Sequence, residues 1–133
     1  MGLEAVATVK ETLDVKIVNP KTQEVILNEE DGSEMFITLH GPYSSKHKAK
    51  RHEQQNKRFA AAQKAGGNLS LTSEELDNSA LELLVACTEG WNLSVGKKKE
   101  TFSPERAREI YTKFPWVRKQ VETVIGDDIA FLE

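Results

Sequence analysis

Leu13, Val15 and Ile17 alternate with Asp14 and Lys16, a period of two that predicts a half-buried strand beginning at Thr12. Asn19-Pro20-Lys21 reads as a turn, Glu24 to Leu27 as a second strand, and Glu30-Asp31-Gly32 as another turn. Met35, Ile37 and Leu39, alternating with Phe36 and Thr38, give a third strand, so residues 12–40 are expected to form a small antiparallel meander. Gly41-Pro42 stops it.

The period then changes. Residues 44–65 are rich in Ala, Lys, Gln and Arg and end at Gly66-Gly67, which predicts a helix. Its widest uncharged stripe is Ala49, His52, Asn56, Phe59, Ala60 and Gln63, with Phe59 the one large apolar side chain. Such a helix packs weakly, and it could lie along the surface, project as an arm or await a partner. Thr72 and Glu75 have the spacing of a capping box, and Leu76, Ala80, Leu83, Leu84, Cys87 and Trp91 recur at helical intervals, widened by Leu81 and Val85. This segment is expected to be the main core helix, ending near Gly90 with Trp91 in the core. After a polar loop containing Lys97, Lys98 and Lys99, Ser103-Pro104-Glu105 supplies an N-cap, a first-turn proline and an acid suited to the helix dipole. Ala107, Ile110, Tyr111 and Phe114 form the buried stripe of a third helix; Pro115 ends it and opens a fourth, carried by Val117, Val121, Val124 and Ile125. Gly126-Asp127-Asp128 breaks that helix before the apolar stretch Ile129 to Leu132. The expected architecture is one α+β domain over residues 1–133: the meander, the basic helix over 44–65, and a helical bundle over 72–132.

Composition narrows the classes. A chain of 133 residues with 38% hydrophobic and 29% charged side chains forms one core and excludes collagen-like, disulfide-scaffold and wholly disordered states. Its apolar runs are too short to span a bilayer, and residues 1–10 lack a signal peptide's apolar region, so a cytoplasmic location is expected. Cys87 has no second cysteine to pair with and lies in the most apolar part of the chain, where a small core residue is expected.

The net charge of −3 hides a segregation. Residues 44–65 hold seven cations and one anion, a net +6, so the remainder carries −9. Thr22 to Glu34 and Thr72 to Gly90 each hold five anions and no cation, which favours self-complementary packing within or between copies. Lys46, Lys50, Arg51, Lys57 and Arg58 are the candidate charged surface; a solvated face, an acidic protein partner and nucleic-acid phosphates all remain readings of it.

Catalytic patterns are missing. No P-loop, G-x-G-x-x-G, G-x-S-x-G or H-E-x-x-H occurs. His47 and His52 are spaced so that a helix points them apart, which disfavours a shared metal, and Asp127 and Asp128 read as an acidic turn. No enzyme activity, cofactor or metal is expected. Aromatic residues are more telling, because six of the nine (Trp91, Phe102, Tyr111, Phe114, Trp116 and Phe131) fall in the last third of the chain. Most suit a bundle core; Tyr111, Phe114, Trp116 and Phe131 are the candidates for an apolar surface that binds another protein.

Gly90-Trp91-Asn92-Leu93, a polar loop, Phe102-Ser103-Pro104-Glu105, Ala107, Tyr111, Phe114-Pro115-Trp116-Val117, Gln120-Val121, Ile125 and Phe131-Leu132 together resemble the C-terminal half of tail assembly chaperones from long-tailed bacteriophages. The upstream order is similar too: a short β region, a Gly-Pro-Tyr-Ser junction, a basic helix and an acidic helix ending in Trp. Lys97-Lys98-Lys99 departs from the small polar turn usual there. The resemblance implies a non-enzymatic protein of the infected cell's cytoplasm, absent from the finished virion. Such a protein holds the tape measure protein soluble and hands it over as tube subunits polymerise. It also implies self-association and, in a longer frameshifted product, contact with the tail tube protein. Two other functions stay open: a nucleic-acid-binding module using the basic helix, and a structural tail or connector protein of the virion.

Overall fold

The computed structural model describes residues 2–3, 11–41, 44–64, 66 and 72–126. Strands β1 (Thr12–Lys16), β2 (Phe36–His40) and β3 (Thr88–Asn92) form an antiparallel sheet in the order β1-β2-β3, and among the described residues four helices complete an α+β fold. Val15 pairs with Ile37, and Ile37 with Trp91. Because side chains alternate across a strand, Val15, Ile17, Ile37 and Leu39 all reach one buried face, while Asp14 and Thr38 meet on the other through a 2.6 Å hydrogen bond.

The sheet departs from the expected meander in its third strand. Glu24 to Leu27 forms no strand of its own: it makes only the isolated bridges Val18–Val25 and Leu27–Glu34. Around it the backbone closes a ring, with Ile17 N–H donating to Met35 O, Met35 N–H to Ile26 O, and Ile26 N–H to Ile17 O, each at 2.8–2.9 Å. Three extended segments fan around one point, so no ladder continues past it. The third strand comes from residues 88–92, where a helix ending near Gly90 was expected. Its cause is tertiary: β2 needs a partner along its second edge, and Thr88 and Gly90 suit a strand better than a helix interior.

Helix α1 (Ser45–Lys64) begins after Ser44, whose hydroxyl donates to Gly41 O at 2.6 Å and accepts from His47 N–H at 3.3 Å. It buries no residue and leans on α2 (Ser73–Cys87) through His47, Lys50, Gln54, Arg58 and Ala62, which are half-covered. The uncharged stripe faces solvent instead: Ala49, His52, Asn56, Phe59, Ala60 and Gln63 are all exposed. Gln54 fixes the rotation by donating to Ser79 O at 2.9 Å. At the start of α2, Thr72 accepts from Glu75 N–H at 3.1 Å and donates to the Glu75 carboxylate at 3.2 Å, a complete capping box. Only the second half of α2 reaches the core, through Leu81, Leu84, Val85 and Cys87; Leu76 and Ala80, expected in the core stripe, are exposed.

Beyond β3 the polar loop folds into a small hairpin, β4 (Ser94–Val95) and β5 (Lys98–Lys99), with Gly96 at φ 76° in the two-residue turn, a conformation a side chain would strain. Lys99 clips this hairpin to the acidic 28–34 loop: its ammonium pairs with Asp31 and its N–H donates to Glu30 at 2.9 Å. Helices α3 (Pro104–Lys113) and α4 (Pro115–Ile125) follow, and with α2 they cover the buried sheet face. Arg108 of α3 grips Glu82 of α2 with two bonds of 2.6 and 2.8 Å, and Arg118 of α4 reaches Asp77 of α2 at 3.0 Å.

Candidate functional site

Pro115 decides the geometry of the aromatic corner. It has no N–H to continue α3, so the helix stops at Phe114, which donates α3's last bond (Phe114 N–H to Ile110 O, 2.8 Å). The same residue starts α4, its carbonyl accepting from Val117 N–H at 2.9 Å. One residue therefore ends one helix and begins the next. Phe114 and Trp116 stand either side of the proline, rings 6.2 Å apart in an edge-to-face arrangement at 73°, with the Lys113 ammonium 5.7 Å from the Phe114 ring centre.

Trp116 is half-buried and separates two apolar recesses. The first, about 460 Å³, runs between β1 with its following turn and α4; Val15, Val18, Pro20, Trp116 and Val124 line it, with Lys16 and Lys119 at its rim and Gln120 in its wall. The second, about 260 Å³, lies between the sheet end, the β4–β5 hairpin and the α3–α4 corner; Ile26, Met35, Leu93, Val95, Phe114 and Trp116 line it. A half-covered indole flanked by such walls can bury a further apolar side chain on each side without moving the core.

The four candidate partner-binding residues thus separate. Phe114 and Trp116 share this corner. Phe131 lies outside the described residues. Tyr111 is not a surface residue: its exposure is 0% and its hydroxyl lies 2.7 Å from Thr88 Oγ1. Thr88 Oγ1 gives its own proton to Leu84 O at 2.8 Å, so Tyr111 is the donor. Burial pushes the Tyr111 hydroxyl well above its ordinary range. Tyr111 falls inward because it follows Ile110 and Ala107 on the face of α3 that meets α2 and the sheet. Trp91, expected in the core, is half-buried at its edge, its Nε1–H donating to Glu100 O at 3.0 Å and its ring standing edge-on to Phe102 at 5.0 Å. Sequence reasoning did not place Val18, Lys119 and Gln120 in the site; they come together only because β1 and α4 meet, while Met35, read as a strand residue, lines the second recess.

The candidate charged residues all lie on α1 but do not form one face. Lys50 and Lys57 share Glu53, at 3.5 and 3.2 Å. Lys46 and Lys50 line a cleft of about 580 Å³ with His40 and Arg108, but Glu82 and Glu89 line it too, so its sign is mixed. Arg51 and Arg58 lie about 100° further round the helix, and the charge of Arg51, after desolvation, helps keep His47 below its ordinary pKa.

Burial raises Cys87 to about 11, far from a nucleophilic thiolate at neutral pH. Among the described residues no group of three or more His, Cys, Asp or Glu side chains stands together as a metal site would need. No helix among the described residues is long and apolar enough to cross a membrane. Comparison with family models, with curated proteins and with solved structures gives no match for this chain.

Proposed function

We propose that the chain is a tail assembly chaperone of a long-tailed bacteriophage, acting without catalysis in the host cytoplasm to hold the tape measure protein soluble until the tail tube closes around it. The observation that carries this reading is Trp116, half-buried between two apolar recesses on a corner whose helices are fixed by Phe114 and Pro115. The succession of motifs from Gly90 to Leu132 supports it as a resemblance.

A protein that must hold and then release a long client needs many modest contacts rather than one tight site. Apolar side chains of the client enter the recesses beside Trp116, while Lys119 at the rim favours stretches with acidic neighbours, Lys16 being paired with Glu34 at 3.5 Å. Several copies coat one client, and each leaves as tube subunits displace it. A longer frameshifted form of the chain would add contact with the tube protein.

Co-expression tests the reading. The tape measure protein of the same phage is expected to remain soluble with this chain and to aggregate without it, and Trp116→Ala is expected to lose that effect while still folding. Equal aggregation in both cultures defeats the proposal. The cations spread round α1 leave one other reading, binding to nucleic-acid phosphates. Phosphate-driven affinity collapses between low and high salt whereas apolar client binding persists, so one titration at two salt concentrations separates them.

A further inference from the structure

β1 is an edge strand of the sheet. Its register with β2, with Gly41 N–H on Glu11 O at one end and Ile17 N–H on Met35 O at the other, turns the backbone groups of Leu13 and Val15 toward β2. Those of Thr12, Asp14 and Lys16 therefore point the opposite way, and among the described residues no hydrogen bond reaches them. All three residues are exposed. The row continues at Val18, and there it is filled: the side-chain amide of Gln120, a planar unit with a donor and an acceptor like those of a peptide group, takes both the N–H and the C=O. Val15, Lys16 and Val18 also line the first recess, together with Trp116, Gln120 and Val124 of α4. An open strand edge and an apolar helix face thus bound one groove.

We infer that this groove takes an extended peptide segment as an added strand on β1, bonded through its main chain to Thr12, Asp14 and Lys16, with every second side chain directed into the first recess. A row of donors and acceptors at strand spacing matches an extended backbone; a helix satisfies its own N–H and C=O groups internally and has none to offer. Side chains alternate across a sheet, so those of the added strand that stand beside Leu13 and Val15 turn toward α4, and those between them stay in solvent. The ligand is therefore a segment with apolar residues at alternate positions. Lys119, which lies at the rim of the recess and makes no ion pair among the described residues, selects an acidic residue next to them. Gln120 blocks the row at Val18, so pairing runs along Thr12–Lys16 and stops there. β1 of a second copy is the poorer occupant, because its Val15 is already buried in its own core and has nothing left to place in the recess. Strand docking deepens the client reading above and rests on it for the identity of the client, adding the backbone form in which that client is held.

The probe is a capped peptide, Glu-Val-Thr-Val-Thr-Val-Glu, titrated into the full chain and followed by NMR. Binding is expected with a Kd of roughly 100 µM. With peptide at about ten times that concentration, hydrogen exchange at the amides of Thr12, Asp14 and Lys16 is expected to slow about 10-fold, while that at Leu13 and Val15, already bonded to β2, stays unchanged. N-methylation of one alternate set of peptide amides is expected to weaken binding at least ~10-fold and of the other set less than ~3-fold, because a strand turns only one set toward its neighbour. The sensitive set is the threonines if the added strand is antiparallel and the valines if it is parallel. Asp14→Pro removes one outward N–H and keeps the ladder to β2, as an edge strand allows, and Thr12→Pro repeats this at the first residue of the strand. Each is expected to weaken binding at least ~10-fold, with circular dichroism showing that the fold is kept. A peptide that does not bind, equal losses from both methylated sets, exchange that slows nowhere along β1, or full binding by both folded proline variants overturns the inference. All of these readings use the synthetic peptide, so their failure is distinct from failure of the tape measure reading, which co-expression alone decides.

Discussion

The side-chain amide of Gln120 takes both backbone groups of Val18: its Oε1 accepts from Val18 N–H at 2.9 Å and its Nε2 donates to Val18 O at 2.7 Å, across 102 residues of chain. A strand end with an open edge offers its N–H and C=O to any extended segment, and here a helix side chain occupies them as a neighbouring strand would. The same contact fixes α4 against the sheet and so sets the first recess beside Trp116.

Gln120→Ala removes both bonds and leaves two backbone groups to be rehydrated. We expect a loss of roughly 1–3 kcal/mol in a urea titration. Gln120→Glu keeps the acceptor but not the donor and is expected to fall between. A Gln120→Ala chain as stable as the parent would show that the pair contributes nothing.

The Thr88–Tyr111 pair is buried, so Tyr111→Phe strands an acceptor and is expected to cost about 1–2 kcal/mol. Adding Thr88→Val removes the stranded hydroxyl, and the double variant should lose less than the two single losses combined. Client solubilisation by Tyr111→Phe is expected to match the parent once the protein is folded, because the ring reaches no surface.

Trp116 and Val121 separate binding from stability. Val121 is fully buried, and Val121→Ala is expected to lower stability by about 2 kcal/mol with client binding kept in the folded fraction. Trp116→Ala should do the opposite, losing client binding with a smaller fall in unfolding midpoint. Parallel losses in both variants would place Trp116 in the core instead.

Acid should weaken the fold in two steps. His47 is held below its ordinary 6.5, chiefly by desolvation, so the unfolded chain binds its proton first and stability falls as pH drops below about 6.5. Glu100, Glu82 and Asp31 are lowered by Arg106, Arg108 and Lys99. Their contribution is present above the ordinary carboxylate range and is lost as pH falls through their depressed folded values. Unfolding midpoints measured from pH 8 to 3 should show both windows, and His47→Gln should flatten only the upper one.

Cys87 has 0% exposure and a pKa of about 11, so the native chain is expected to resist iodoacetamide at pH 8 for as long as it stays folded. Mass spectrometry should find one label after denaturation. Rapid labelling of the native protein would place the thiol outside the core.

Local signals made the second half of the fold readable. Ser103-Pro104-Glu105 starts α3 where its capping chemistry says it should, and Phe114-Pro115 divides α3 from α4. Phe114 and Trp116 were legible as a pair of aromatic residues beside a proline break, and both stand half-buried at that corner. What failed was decided at a distance. The spacing from Cys87 to Trp91 satisfies a helix as well as it satisfies a bridge to β2, and only the free edge of β2 chooses between them. The uncharged stripe of α1 was the natural face to pack, yet Gln54 and its neighbours make the contact, because α2 presents a polar side to it. Gln120 stood out only as part of the Gln120-Val121 pair in the resemblance, and nothing local pointed to its contact, since its partner is a backbone far away in sequence.

The shared residue at Phe114 leaves α3 and α4 no spare link between them. A joint without slack transmits force instead of absorbing it, so whatever seats against Trp116 presses on Ile110 and the interior behind it. The aperture at that corner is then set by covalent geometry before any guest arrives. Lengthening the joint by one glycine would loosen the grip while leaving every wall residue in place.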